Sequence, residues 1–82
     1  MKKLENISTE HQELLLSLGQ KLKQLRISQK KSYIEKAQEI GIPRNTYNKM
    51  ELGKINFQFS TLLQVLQHYN ISVSDFFKDL KF

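Results

Sequence analysis

The chain has 82 residues and no cysteine, so it forms one small domain whose apolar core must act without disulfides or cysteine–zinc sites. Its longest apolar run, Leu14–Leu16, is too short to cross a membrane, and nothing in the sequence reads as a signal peptide. These features exclude a disulfide-stabilised secreted domain and a transmembrane protein, and we expect a cytoplasmic location.

The excess positive charge lies in the middle of the chain. Residues 19–56 carry nine lysines or arginines against three glutamates, a net charge of +6, whereas residues 1–18 carry −1 and residues 57–82 carry zero. A cationic surface that served solubility alone would be spread along the whole chain. The localised charge therefore predicts a polyanionic partner, with nucleic acid ahead of the alternatives.

Hydrophobic periodicity is absent at the start of the sequence. Residues 1–8 are predicted to be a flexible N-terminus, and residues 9–82 a single domain. Thr9 followed by Gln12 suits a helix start, and leucines recur at three- or four-residue steps to about Ile27. The recurring leucines are Leu15, Leu18, Leu22 and Leu25. A long first helix is predicted.

Two further leucines extend the apolar surface of this helix. Leu14 and Leu16 lie in its first two turns. They can pack within the domain or meet a partner, and we favour packing because apolar helix residues most often face the core.

The stretch from Ser32 to Lys54 has the pattern of helix, tight turn and helix. Ser32 can accept from the amide of Glu35, whose carboxylate can reach back, which makes a capping box. Gly41 supplies the left-handed conformation of a helix C-cap, and Pro43 stops that helix while suiting the first turn of the next. Two helices joined by a sharp turn are predicted.

The second of these helices has two unlike faces. Tyr47 and Met50 lie three residues apart and are predicted to pack inward. Four polar residues share the opposite face: Arg44, Asn45, Asn48 and Lys49. Arginine and lysine can donate to guanine in the major groove, and asparagine can pair with adenine through two hydrogen bonds. The face suits base reading, although an ordinary solvated helix face has the same composition.

The next segment, INFQFS, alternates apolar and polar residues. Ile55, Phe57 and Phe59 are its apolar residues. With no second strand to pair, the segment is predicted to be a loop whose aromatic residues dock on the core. Ser60 or Thr61 then begins a helix that is apolar on more than one stripe and hence central to the core. Its apolar residues are Leu62, Leu63, Val65, Leu66 and Tyr69.

A last short helix is predicted from Ser72 and Asp75, which form a second capping pattern. Five apolar residues crowd the final ten positions: Val73, Phe76, Phe77, Leu80 and Phe82. A short terminal helix cannot readily hide so much apolar surface, which predicts that these residues join two copies of the chain in a homodimer. In the alternative, all five complete the core of the monomer.

Residues 18–80 resemble a helix-turn-helix domain of the phage-repressor type, the Cro/C1 or XRE family. The matching segments are LGQKLKQLR in the first helix, Ala37 and Gly41, RNTYNKMELGK, and STLLQVLQHYNIS followed by SDFF. The resemblance implies an all-α, compact five-helix lambda-repressor-like domain in which helices two and three form the helix-turn-helix. It also implies a partly buried ion pair between Arg26 and Glu51 that orients helix three.

The resemblance points to candidate contacts with DNA phosphate around this motif. These are Tyr33, Lys54 and Asn56, with Lys30 and Lys31 nearby. The family usually has glutamine at Tyr33, where the tyrosine hydroxyl can still reach a phosphate. It usually has an apolar residue at Lys36, which must either extend its stem across the edge of the core or belong to a differently packed helix two.

We therefore expect a sequence-specific transcriptional regulator, a repressor that binds a short palindromic operator in double-stranded DNA as a dimer. The alternative is an antitoxin-like module that holds a partner protein such as a toxin, with DNA binding secondary. An enzyme is not indicated, because His11 and His68 lack metal-motif spacing and no phosphate loop or nucleophile motif occurs. No catalytic residue, metal site or cofactor is predicted.

Overall fold

The computed structural model describes residues 9–78 and residue 80, which form five helices joined by short loops. The helices are α1 (Thr9–Ser28), α2 (Tyr33–Ile40), α3 (Arg44–Leu52), α4 (Phe59–Tyr69) and α5 (Val73–Lys78). Within the described residues there is no strand, so the predicted all-α class is confirmed. The flexible N-terminus predicted for residues 1–8 lies outside the described residues.

Local capping signals set the ends of α2. The Ser32 hydroxyl accepts from the amide of Glu35 at 3.1 Å, and the Glu35 carboxylate accepts from the amide of Ser32 at 2.9 Å. At the other end Gly41 adopts φ +93°, and its N–H donates to the carbonyl of Ala37 at 2.9 Å. The capping box and the glycine C-cap predicted for this helix are confirmed.

One apolar core takes side chains from all five helices. Its buried members are Leu18, Leu22, Ala37, Ile40, Tyr47, Met50, Leu62, Val65, Leu66, Tyr69 and Phe76. The hydroxyl groups of Tyr47 and Tyr69 lie 2.6 Å apart in this core and hydrogen-bond α3 to α4. Burial raises the pKa of both phenols, so both remain neutral hydrogen-bonding groups.

Helices α1 and α3 approach each other backbone to backbone. A Cβ atom on Gly19 would lie 2.4 Å from the carbonyl oxygens of both Met50 and Glu51. At Gly53, which has φ +70°, a Cβ atom would lie 2.7 Å from the Cα of Leu16. The backbone of α1 at Leu16 therefore packs against the end of α3. The side chain of Leu16 is exposed, so the prediction that it packs within the domain is wrong.

The loop before α4 differs from its prediction at Phe59. Ile55 and Phe57 pack against the core, but Phe59 is 58% exposed. It is the first residue of α4, which begins one residue earlier than predicted, with Gln58 at the N-cap. The strand-like alternation that placed Phe59 with Ile55 and Phe57 no longer applies once the backbone becomes helical.

The C-terminal residues divide between core and surface. Phe76 is fully buried within the single chain, and Phe77 and Leu80 pack partly against the core, whereas Val73 is exposed. The burial of Phe76 removes it from the residues that can contact a second copy. It is buried because the Ser72 hydroxyl caps α5, accepting from the amide of Asp75 at 3.0 Å, and the helix so started turns Phe76 inward. Phe82, the fifth predicted interface residue, lies outside the described residues.

None of the described helices is both long and apolar enough to span a bilayer.

Candidate nucleic-acid interface

Hydrogen bonds fix the turn between α2 and α3. The amide of Ile42 donates to the carbonyl of Ala37 at 3.1 Å, next to the bond made by Gly41. From α4, the side-chain amide of Gln64 donates to the carbonyl of Ile40 at 3.0 Å. The carbonyls of Ala37 and Ile40 thus have partners, and the direction in which α3 leaves the turn is defined by both local and tertiary bonds.

The outer face of α3 is polar and open to solvent. Arg44, Asn45 and Lys49 are exposed and Asn48 is half-buried, while Tyr47 on the opposite side is fully buried. The structure therefore brings the four predicted base-reading side chains onto one accessible surface. They can offer guanidinium, ammonium and amide groups to base edges.

An ion pair holds the end of α3 to the end of α1. The Nε of Arg26 donates to Glu51 Oε2 at 2.8 Å, and Nη2 donates to Oε1 at 3.0 Å. A third donor, Nη1, reaches the carbonyl of Lys31 at 3.0 Å. The side chains of Arg26 and Glu51 are 13% and 4% exposed, and the Glu51 carboxylate raises the pKa of Arg26. The pair implied by the family resemblance is present, and it leaves the outer face of α3 without an acidic group because Glu51 is the acid of that helix.

The five predicted phosphate contacts are not equivalent. They are Tyr33, Lys54, Asn56, Lys30 and Lys31. Lys30, Lys54 and Asn56 are exposed, and Tyr33 is half-buried against the core. The ammonium of Lys31 lies 3.0 Å from the carboxylate of Glu39, whose hydrogen bond raises the pKa of Lys31. Lys31 therefore remains cationic, but its charge has a partner within the chain.

Lys36 lies in neither of the environments expected from the sequence. It is 1% exposed, so its ammonium is not in water, and α2 still presents its neighbours to the core. Its Nζ lies 3.0 Å from Glu39 Oε1 and 3.1 Å from His68 Nε2, and it also donates to Gln29 Oε1. The ammonium lies 5.1 Å from the centroid of the Tyr69 ring. Four polar or aromatic groups thus replace the water that the charge has lost.

No motif in the sequence indicates that Glu39 and His68 contact Lys36. The cluster joins residues of α2 and α4 that are 32 positions apart, as Lys36 and His68 are, so no local pattern shows it. The signal available was the lysine itself, at a position where the helix periodicity calls for an apolar residue.

A shallow cleft opens between α2 and the start of α3. Its volume is about 290 Å³, and it is lined by Ile34, Ala37, Gln38, Ile42 and Arg44. Ile34 is 42% exposed although it is a large apolar side chain. Sequence reasoning missed this cleft, whose walls come from both helices of the motif and the turn between them.

Metal binding has no support in the described part of the chain. Among residues 9–78 and 80, no group of three or more histidine, aspartate or glutamate side chains is placed to hold a metal ion.

A family model described as helix-turn-helix matches residues 22–76, which is more than half of the chain. The protein therefore belongs to the XRE-type helix-turn-helix family, a family of DNA-binding transcription regulators. No curated protein and no solved structure matches the chain significantly. Because the family match begins at Leu22, the first turns of α1 that pack against α3 lie outside it.

Proposed function

We propose that the protein is a sequence-specific repressor that binds a short palindromic operator as a dimer. The observation that carries this proposal is the outer face of α3, where Arg44, Asn45, Asn48 and Lys49 are accessible together. Each of these residue types pairs with particular bases in the major groove, and this face of α3 has no acid that would repel phosphate. The side chains would supply the sequence preference.

The charge around the motif supports the same function. Lys30, Lys54 and Asn56 are exposed near the ends of the two helices, and the net +6 of residues 19–56 lies in this region. Backbone contacts of this kind fix the register of a protein on duplex DNA and make affinity depend on salt.

A groove at the junction of α4 and α5 supports the dimer. Its volume is about 710 Å³, and Leu63, Leu66, Ile71 and Val73 are among its lining residues. Leu63 and Val73 are exposed in the single chain, so a second copy that covered them would remove apolar surface from water. A two-fold pair could set two α3 helices about 34 Å apart, one turn of B-DNA. Such a dimer would repress by occupying DNA that polymerase needs.

The alternative function uses the same groove for a different protein. An antitoxin-like module would hold its partner, for example a toxin, against Leu63 and Val73, and its affinity for DNA would be secondary. Retention on heparin compared with co-purification of a neighbouring gene's product separates the two. A protein that elutes from heparin at low salt but copurifies with a partner would support the alternative.

Selection from a pool of random DNA duplexes tests the proposal directly. We expect enrichment of one sequence in two inverted copies whose centres lie about 10 base pairs apart. A single enriched half-site would contradict the dimer and leave base reading standing. Recovery of sequences indistinguishable from the input pool would contradict sequence-specific binding altogether.

A further inference from the structure

The side of α4 that lines the groove at the junction of α4 and α5 continues one turn beyond it, to Phe59. Leu63, Leu66 and Asn70 line the groove. Together with Phe59 they follow the spacing i, i+4, i+7 and i+11, which places all four residues on one side of the helix. Phe59 is 58% exposed, more than any other large apolar side chain among the described residues. An exposed aromatic ring and an open groove therefore share one surface.

This surface carries almost no charge. Residues 55–74 contain no lysine, arginine, aspartate or glutamate, so the surface has no cation for DNA phosphate and only Asp75, at the edge of the groove, for a basic partner. Each chain has a net charge of +5, and two copies therefore repel each other wherever their cationic surfaces meet. The uncharged surface is the place where two copies can touch at the least electrostatic cost.

Two-fold symmetry determines what each copy brings to the other. In a symmetric dimer the same patch is used twice, so every contact that one copy makes is returned by the second. A two-fold axis perpendicular to α4 makes the two α4 helices antiparallel, and residues at equal distances on either side of the axis face each other. An axis at Leu63 places Phe59 of one copy opposite Gln67 of the second. An axis at Val65 places it opposite Ile71, and both of these residues line the groove.

We propose that Phe59 of each copy inserts into the groove of the other, so that the dimer contains two equivalent aromatic insertions. The inference rests on the proposed function, because it names the contact that closes the dimer suggested there. The groove, about 710 Å³ in volume, has room for a phenyl ring, and Leu63, Leu66 and Ile71 give it apolar contacts. A parallel pair would place the two rings against each other and leave both grooves in water. A different protein would have to bring its own ring and its own recess, whereas a second copy supplies both.

Mixing two defective variants tests the inference, because each supplies what the other lacks. Phe59→Ser removes the ring and keeps the groove, whereas Val73→Glu keeps the ring and puts a charge in the groove. Analytical ultracentrifugation of the full-length protein measures each variant alone and the equimolar mixture. Phe59→Ser alone should raise the dimer dissociation constant about 100-fold, roughly tenfold for each insertion lost.

The mixture is examined at a concentration at which each variant alone is monomeric. The ring of Val73→Glu then enters the unaltered groove of Phe59→Ser, which restores one of the two insertions. The heterodimer should therefore form about tenfold more tightly than the Phe59→Ser homodimer, and the sedimenting mass should rise on mixing.

An exposed isoleucine elsewhere supplies the matched control. Ile27 lies near the end of α1, is exposed and does not line the groove, so Ile27→Ser should dimerise as the parent does. Circular dichroism confirms that each variant is folded.

The outcomes separate this inference from the proposed function. If Phe59→Ser dimerises like the parent, Phe59 lies outside the interface, so the inference is overturned and the dimeric regulator stands. If Phe59→Ser is monomeric and the mixture is monomeric as well, the ring does not enter the groove, and the inference is again overturned. A parent protein that is monomeric at every concentration would overturn the dimer and the inference together and leave the groove to a different protein. Base reading by α3 is measured separately, by selection from the random pool.

Discussion

The carboxylate of Glu51 contributes to the stability of the fold and also holds α3 in its orientation. Its carboxylate accepts two hydrogen bonds from Arg26, whose third bond holds the carbonyl of Lys31 just before α2. Both side chains are largely out of water. A substitution at Glu51 therefore leaves the guanidinium of Arg26 without its counter-ion. That guanidinium links α1, α3 and the segment before α2.

We expect Glu51→Gln to lower the free energy of unfolding by about 3–5 kcal/mol, because removal of one partner leaves the other charge buried and uncompensated. Urea denaturation at neutral pH measures this. The matched control is Glu13→Gln, an exposed glutamate of α1, which should change stability by no more than about 0.5 kcal/mol. Equal midpoints for Glu51→Gln and the parent would mean that the pair contributes no more than two surface charges.

Replacement of Lys36 has a different effect on stability, because the groups that contact it remain accessible to water when its side chain is removed. Glu39 and His68 are partly exposed and can rehydrate. The hydrogen bond from Lys36, followed by that from Lys31, lowers the pKa of Glu39 from 4.5 to about 2. A carboxyl group whose pKa is lower when folded stabilises the native state above pH 4.5, and this contribution is lost as the pH falls toward 2.

We expect Lys36→Met to leave stability at pH 7 unchanged or to raise it, since a buried charge is replaced by an apolar side chain of similar length while the partly exposed Glu39 stays hydrated. The same variant should lose less stability than the parent between pH 5 and pH 3, because the pKa of Glu39 returns toward its ordinary value. Denaturation at both pH values measures the two effects. Lys36→Ala, which also removes the packed stem, should destabilise at every pH. An unchanged acid dependence in Lys36→Met would contradict the assigned role of Lys36.

Helix α1 can pack closely on α3 because residue 19 is glycine, which has no side chain. Gly19 lies inside a helix, where alanine is intrinsically preferred by about 1 kcal/mol, yet a Cβ there would press against two backbone carbonyls. Backbone oxygens cannot rotate away as a flexible side chain can. The helices must therefore move apart to accept any larger residue.

We expect Gly19→Ala to destabilise the fold by about 1–3 kcal/mol despite its higher helix propensity. Thermal melting measures the change, with Gln20→Ala, the exposed neighbour in α1, as a control that should stay near the parent. A variant more stable than the parent would show that propensity outweighs the close approach.

The ends of α2 could be predicted from local patterns in the sequence, whereas the contacts between different helices could not. Ser32, Glu35 and Gly41 act over three or four residues, and the structure reproduces all three. The environment of Lys36 depends on His68 in another helix, and the backbone contact at Gly19 depends on α3. The same limit applies to the candidate site: helix periodicity places the outer face of α3, but the cleft beside it needs two helices and a turn.

Proposed base contacts in α3 and the proposed backbone contact of Lys54, just after α3, should respond differently to mutation. Arg44→Ala or Asn45→Ala should reduce affinity for the selected sequence by about 1–3 kcal/mol and relax base preference at one position. Lys54→Ala should weaken binding to all sequences alike and reduce the salt slope by about 0.9. Affinities for selected and random duplexes over a range of salt measure both. Equal losses of Arg44→Ala on both duplexes would assign Arg44 to the phosphate backbone.

For the whole molecule, the proposed base-reading face and the groove with the exposed Leu63 and Val73 lie on different elements. The face belongs to α3, and the groove, whose lining also includes polar residues such as Asp75, is formed at the junction of α4 and α5. The localised charge predicted the cationic region, and the apolar C-terminus predicted a dimer interface that included Phe76, with burial in the core as the alternative. In the structure Phe76 lies in the core. Leu63, which the helix pattern assigned to the core, is exposed at the groove instead. Among the described residues of α4 and α5, the exposed large apolar side chains are therefore Phe59, Leu63 and Val73, and the last two line the groove.

A charge in this groove tests the dimer without disturbing the core. We expect Val73→Glu to lower the sedimenting mass to that of a monomer and to weaken binding to a two-copy operator by roughly 100-fold or more, since the second half-site contact is lost. Ser74→Glu puts the same charge one residue further along α5, outside the groove lining, and should remain dimeric. Helicity should be unchanged in both, because each residue is exposed. If Val73→Glu still sediments as a dimer, the interface lies elsewhere, and the exposed Leu16 on the first turns of α1 becomes the surface to change next.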